Sequence, residues 1–275
     1  MELSARPCLR VYALRCSDYD GSLTGLATKF LDQTIRTRRL FRDPWALRAR
    51  LVVSVVKLYS TGSMRRPTHQ EIEIKLRISD LPELLSKLHQ IGARFKGRVF
   101  EQNTIYDTSD CAVRLSGRLL RLRLETPAPR IGTARKTPLV RPRRSPTRAL
   151  LTTKAPPFRG NRGAASPRYK VRLERESVIR NPGRWHRKIA SLGLRPSFIY
   201  EKFRSAFELS GLHLELDETP VGTFLELEGS PKAIDHAARE LGFRPRHYMR
   251  ATYWDVYAAE CRHRGRPLKN MVFPT

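Results

Sequence analysis

Several short stretches of this chain alternate carboxylates and cations with aliphatic residues, and these are the residues that could do chemistry. In His69-Gln70-Glu71-Ile72-Glu73-Ile74-Lys75-Leu76-Arg77, an extended backbone places Glu71, Glu73, Lys75 and Arg77 on one side and Ile72, Ile74 and Leu76 on the other. A single half-buried strand with a solvated face would look the same. The pattern recurs, however, at Leu120–Glu125 (Arg121, Arg123), Tyr169–Glu176 (Lys170, Arg172, Glu174), Glu201–Arg204 (Lys202, Arg204), His213–Asp217 and Phe224–Glu228 (Glu226, Glu228). An open sheet would show this face to water, whereas a closed one would enclose it. Enclosed carboxylates suit hard, oxygen-seeking cations such as magnesium or manganese. Convergent Lys and Arg suit the oxygens of a polyphosphate.

The elements that must carry these residues follow from the punctuation between them. Ser79 or Asp80 can cap a helix with Pro82 in its first turn and Leu84, Leu85, Leu88 and Ile91 at helical spacing, ended by Gly92. A strand over about Val99–Asp107 precedes a connection, Thr108–Gly117, and the Arg121/Arg123 strand. Ala149–Lys154 forms the next strand. Asn181 and Pro182 open a second helix with Trp185, Ile189 and Leu192 on its buried side, and strands at Phe198–Leu209, Leu212–Asp217 and Gly222–Glu228 follow through short turns. Ser230-Pro231 opens a third helix, and a fourth covers about Arg250–Cys261. About eight strands and four helices predict an α+β protein built on an antiparallel sheet.

The formal charge of +27, from 53 Lys and Arg against 26 Asp and Glu, would ordinarily point to nucleic acid or an anionic surface. Its placement argues otherwise. Residues 1–63 hold eleven Lys or Arg against five Asp or Glu, and residues 126–170 hold twelve against none, so 18 of the 27 charges lie mostly outside the motif strands. Within those strands the cations are interleaved with Leu, Val and carboxylates rather than with stacking aromatics. The Pro- and Arg-rich stretch 126–148 reads as a solvated loop. Residues 1–63 show no sustained period and read as a poorly ordered extension or a mis-assigned start, with Met64 as initiator. Four cysteines without zinc spacing read as reduced thiols in a cytoplasmic protein. No apolar run approaches a membrane span.

Taken in order, Glu71-x-Glu73-x-Lys75, an Arg-x-Arg strand, Lys154 before a proline and a late Glu226-x-Glu228 resemble the CYTH superfamily, over about Gln70–Tyr257. That family takes in class IV adenylyl cyclases, thiamine triphosphatases and inorganic triphosphatases. The resemblance implies a closed antiparallel barrel, a triphosphate tunnel of eight strands with flanking helices. It implies a domain over 64–261, with 262–275 as a tail. Lys154-Ala155-Pro156 stands where the family commonly has Lys-Gly-Pro, and the loop 126–148 replaces a shorter turn.

Residue by residue, the resemblance implies Glu71, Glu73, Asp217, Glu226 and Glu228 as ligands of Mg2+ or Mn2+. It implies Lys75, Arg121, Arg123, Lys154, Arg172, Lys202 and Arg204 as binders of a nucleoside or inorganic triphosphate, with Lys75, Glu73 and Arg204 acting in catalysis. Glu174 shares their face with a less defined role. Glu215 and Glu218 are read as surface or structural, His213 as a polar strand residue and Tyr253 as packing. Two reactions use the same motifs. In one, the ribose 3′-hydroxyl of ATP attacks the α-phosphorus and expels pyrophosphate; in the other, water attacks the terminal phosphorus of a triphosphate. The helices and the Asp217-Glu218-Thr219-Pro220 turn look closest to proteins similar to class IV cyclases. A homodimer is left open, and a nucleic-acid-binding protein is the third reading.

Overall fold

The computed structural model describes residues 69–131, 139–157 and 168–274. The expectations for residues 1–63 and for Met64 as initiator therefore lie outside the described residues. Eight strands form one closed antiparallel barrel: β1 (His69–Ile78), β2 (Arg94–Asp107), β3 (Leu119–Pro127), β4 (Arg148–Ala155), β5 (Lys170–Val178), β6 (Arg195–Leu209), β7 (Leu212–Thr219) and β8 (Gly222–Glu228). Around the barrel they run β1-β5-β4-β3-β2-β6-β7-β8 and back to β1. β1 is shared between two neighbours: its first half pairs with β5 (Glu71 opposite Arg172) and its second with β8 (Glu73 opposite Glu228, Lys75 opposite Glu226).

Closure divides each strand by parity. The aliphatic side of β1, β7 and β8 (Ile74, Leu76, Leu214, Leu216, Leu225, Leu227) faces outward and is fully buried beneath α1 (Leu81–Gln90) and α4 (Pro231–Glu240), through Leu84, Leu88, Ile234 and Ala238. α3 (Pro182–Ser191) covers Leu120, Leu122 and Leu151 with Ile189. α5 (Tyr253–His263) packs Tyr253 and Val256 against Phe198, Tyr200 and Phe224 at one end of the barrel. The helices start where the sequence supplies an oxygen: Asp80 accepts from the N–H of Glu83 (2.8 Å), Asn181 from Arg184 (3.0 Å) and Ser230 from Ala233 (3.3 Å). Thr252 and Asp255 form a reciprocal capping box on α5.

Two features depart from the sequence reading. A fifth helix, α2 (Ala112–Leu115), lies within the expected connection after β2. Its cap residue Cys111 is left-handed (φ 61°), and Asp107 Oδ1 accepts the N–H groups of Thr108 (2.8 Å) and Val113 (2.9 Å). Beyond α5 the chain turns back: Met271 bridges to Tyr200, and the N–H of Phe273 donates to Glu201 Oε2 (3.0 Å). Cys261 is a buried free thiol, whereas Cys8 and Cys16 lie outside the described residues. Among the described residues no helix is long and apolar enough to cross a membrane.

Candidate active site

The inward parity of the strands surrounds a cavity of about 690 Å³. Glu71, Glu73, Lys75, Arg121, Arg123, Lys154, Arg172, Lys202, Arg204, Glu226 and Glu228 all line it. Asp217 lies in the same wall, fully buried. All twelve residues named from the sequence are thus brought together by one barrel, although they come from seven strands.

One network runs through the deepest part. The Lys75 ammonium is ion-paired with Glu226, whose other oxygen accepts from Arg204 Nη2 (2.6 Å). Arg204 also donates from Nε (2.7 Å) and Nη2 (2.6 Å) to Asp217. Asp217 further accepts from Lys202 Nζ (2.8 Å) and from the Tyr253 hydroxyl (2.6 Å). That carboxylate thus accepts four hydrogen bonds, three of them on Oδ2. Burial alone would raise the Glu226 carboxyl, but Lys75 and Arg204 outweigh it and hold it well below the usual range. Burial likewise opposes the charge on Lys75, and Glu226 and Glu73 more than restore it.

A second network lies toward β4 and β5. Lys154 Nζ contacts both oxygens of Glu71 (2.7 Å each) and Glu174 Oε2 (2.7 Å). Burial, with Glu73 and Glu174 nearby, outweighs Lys154 and pushes Glu71 up to about 8. Glu73 sits in a different balance: burial pushes its carboxyl up, but Lys170 (2.5 Å), Lys154 and Lys75 bring it to about 2. Glu228 is raised to about 7 by burial and by Glu215, Glu174 and Glu73 around it. Its ion-pair neighbour is His69 Nε2 at 3.8 Å. Arg121 donates to the Tyr200 hydroxyl and to Thr152 Oγ1 (3.2 Å each), while its buried Nε has no hydrogen-bond partner among the described residues. Among the described residues the Arg172 side chain, which lines the cavity, has no ion-pair or hydrogen-bond partner, an opening for an incoming anion.

The donor set fits a hard divalent cation. Glu71, Glu73, Glu226 and Glu228 supply carboxylate oxygens from adjacent strands. The raised carboxyls of Glu71 and Glu228 mark a place with more buried acid than local base. Among the described residues no group of three acidic or imidazole side chains is gathered in metal-ligating geometry, because Glu71, Glu73 and Glu226 are turned to Lys and Arg. Metal binding here requires those carboxylates to exchange partners.

The sequence reading missed some of the wall. Glu215, read as surface or structural, faces the cavity and is ion-paired with Arg204; it shares parity with Asp217, which is the signal that places it. Glu101, fully buried, pairs with Arg123 Nη1 (3.1 Å), and Asn103 accepts from Arg123 Nε (3.0 Å). Lys170, named with Arg172 from the sequence, also lines the cavity and pairs with Glu73. Glu218 has the opposite parity and forms a buried pair with Arg98 on the outer face. Tyr253 does more than pack: besides its hydrogen bond to Asp217, its ring lies 4.2 Å from Lys75 Nζ.

The comparisons agree with this architecture. The CYTH domain model matches residues 69–252. A candidate adenylate cyclase from Vibrio parahaemolyticus is similar in structure, with a TM-score of 0.53 at 18% identity, covering 70% of this chain and 99% of that one. The PH1819 protein of Pyrococcus horikoshii OT3 gives a TM-score of 0.52 at 21% identity, covering 69% of this chain and 99% of that one. At these identities the likeness is one of fold. No curated protein matches the sequence. With its model matched across the whole barrel, the chain belongs to the CYTH domain family.

Proposed function

We propose that the tunnel binds the phosphate chain of a triphosphate together with Mg2+ or Mn2+ and catalyses a reaction at phosphorus, most like the class IV adenylyl cyclases: ATP to cyclic AMP and pyrophosphate. The observation that carries this is the charge of the cavity wall. The lining holds ten Lys or Arg and nine Asp or Glu. A net charge of one cannot balance a triphosphate, which carries about four negative charges. The cations are there to meet phosphate oxygens, and the carboxylates suit a divalent ion that enters with them.

Arg121, Arg123, Lys154, Arg172 and Lys202 bind and orient the chain of phosphates, with guanidinium groups contacting pairs of oxygens. Lys75 and Arg204, held charged by Glu226 and Asp217, stabilise negative charge as it builds on the reacting phosphate. Asp217 anchors Lys202 and Arg204 and is a positioning residue in this reading rather than a metal ligand. Glu71, Glu73, Glu226 and Glu228 would hold the metal. Bound there, the ion would polarise phosphoryl oxygens and neutralise the leaving group. Lys75, Arg204, Asp217 and Glu226 are themselves buried, so their interactions act in a lower dielectric than water.

The test is product analysis by phosphorus NMR, with Mg2+ or Mn2+ and, separately, ATP, inorganic triphosphate and thiamine triphosphate. Cyclic AMP and pyrophosphate, lost in Glu71→Ala, are expected. Orthophosphate without cyclic product would replace the cyclase with a triphosphatase. No turnover of any substrate would remove the enzymatic reading.

A further inference from the structure

Arg121 and Arg123 lie on one strand, β3, and line one cavity, yet the barrel holds them in opposite ways. Arg121 is held by its fork: Nη1 donates to the Tyr200 hydroxyl and Nη2 to Thr152 Oγ1, while its buried Nε makes no hydrogen bond. Arg123 is held by its stem. Its Nε donates to Asn103 Oδ1 (3.0 Å), and neither Nη1 nor Nη2 makes a hydrogen bond among the described residues. Glu101 Oε1 comes within 3.1 Å of Nη1, but no hydrogen bond forms to that oxygen, so Glu101 supplies charge without using a donor.

We infer that Asn103, braced by Glu101, is a positioning residue that fixes Arg123 through Nε and presents its two Nη groups to a pair of oxygens on one phosphate. The inference rests on the triphosphate reading and assigns a division of labour within it. Both β2 residues are fully buried and neither lines the cavity, so they act on a ligand only through the cations in front of them. Asn103 stands directly opposite Arg123 in the β2–β3 ladder, which brings its amide to the guanidinium stem. A second bond sets that amide: Asn103 Nδ2 donates to Glu101 Oε2 (3.2 Å), so the oxygen and not the nitrogen meets Arg123. Glu101 is itself tied down, opposite Lys202 in the β2–β6 ladder, 3.5 Å from Lys202 Nζ and 3.7 Å from Arg204 Nε. A guanidinium has five N–H groups in one plane; committing Nε to the wall leaves the end whose spacing matches two phosphate oxygens. A fork fixed before the ligand arrives also has less freedom to lose on binding. In Arg121 one N–H of each Nη group is already committed to the wall.

The experiment is calorimetric titration of the full chain with inorganic triphosphate and Mg2+ in a double-mutant cycle: wild type, Asn103→Ala, Arg123→Lys and the two together. Arg123→Lys keeps the charge beside Glu101 and removes only the fork, and it should weaken binding at least tenfold. Asn103→Ala should weaken binding about fivefold in the wild type but less than twofold once Arg123 is Lys, because its effect passes through that guanidinium. A merely structural asparagine would weaken both backgrounds alike. Arginine Nε–H NMR of the free protein is the second measurement. The Arg123 signal, assigned by its absence from Arg123→Lys, should be sharp and slow to exchange in the wild type. That measurement needs no Asn103 variant and decides the matter even if Asn103→Ala fails to fold. Equal weakening in both backgrounds, wild-type affinity in Asn103→Ala, or an Arg123 Nε–H missing from the wild-type spectrum overturns the positioning role and leaves the tunnel a triphosphate site. Wild-type protein that binds no triphosphate, or binds it undiminished in Arg123→Lys, overturns the triphosphate reading of this wall and the inference with it.

Discussion

The two faces of the barrel wall are built by opposite means. Outside, Ile74, Leu76, Leu214, Leu216, Leu225 and Leu227 are fully buried beneath helices and have only apolar neighbours to satisfy. Inside, Glu101, Lys202 and Asp217 are equally buried but charged, and each persists only because its partners are present. Apolar burial drives folding roughly in proportion to area. Buried ion pairs come close to cancelling their own desolvation. The outer face therefore holds the barrel together, while the inner face holds charges in readiness for a ligand.

The sharpest way to break this division is Asp217→Ala. It strands Lys202 and Arg204 without their shared counterion, and we expect a loss of about 3–5 kcal/mol in denaturant unfolding, together with loss of triphosphate binding. Leu225→Ala acts on the other face. The cavity it leaves should destabilise the fold by about 2–5 kcal/mol, yet the folded fraction should retain wild-type affinity.

A smaller effect follows from the raised carboxyls of Glu71, at about 8, and Glu228, at about 7, both from a reference of 4.5. Between pH 4.5 and 8 these two carboxyls hold more protons in the folded metal-free protein than in the unfolded chain, so their contribution to stability should fall as pH rises through that window. Glu73, at about 2, works the other way: its contribution is present above 4.5 and is lost as pH falls toward 2. Mg2+ should therefore raise the melting temperature more at pH 8 than at pH 5.5. An equal rise at both values would remove Glu71 and Glu228 from the metal site. Arg172→Ala should have the smallest effect on stability, within about 0.5 kcal/mol, because no described partner is left behind. Its affinity for triphosphate should still fall about tenfold in the same titration.

How far the sequence could be read depended on how cleanly each strand alternates. In β1 and β8 the charged residues Glu71, Glu73, Lys75, Glu226 and Glu228 alternate with the aliphatic Ile72, Ile74, Leu76, Leu225 and Leu227, so the face of these residues followed from parity alone. β2 hides its contribution. Polar residues occupy both of its faces, and register shifts at Phe95/Gly97 and Ile105/Tyr106 break the count, so Glu101 and Asn103 went unnoticed. Glu215 shares the parity of Asp217, whereas Glu218, read with it as surface or structural, has the opposite parity. α2 is too short to carry a period, and a left-handed cysteine at its cap is no ordinary start signal. Nothing in a linear pattern tells which buried carboxylate will face a lysine and which a metal. That depends on cross-strand distance, as in Lys154, which is shared between Glu174 on the adjacent strand and Glu71 on the strand beyond it.

The central claim is that the inner face, and not the basic surface, takes the triphosphate. Isothermal titration of the full chain with inorganic triphosphate and Mg2+ tests it most directly, comparing wild type with Arg121→Ala and with an exposed-surface control, Arg187→Ala. A single site weakened at least tenfold by Arg121→Ala and unaffected by Arg187→Ala is the predicted result. Equal loss in the two variants, or binding that survives Arg121→Ala, would contradict it.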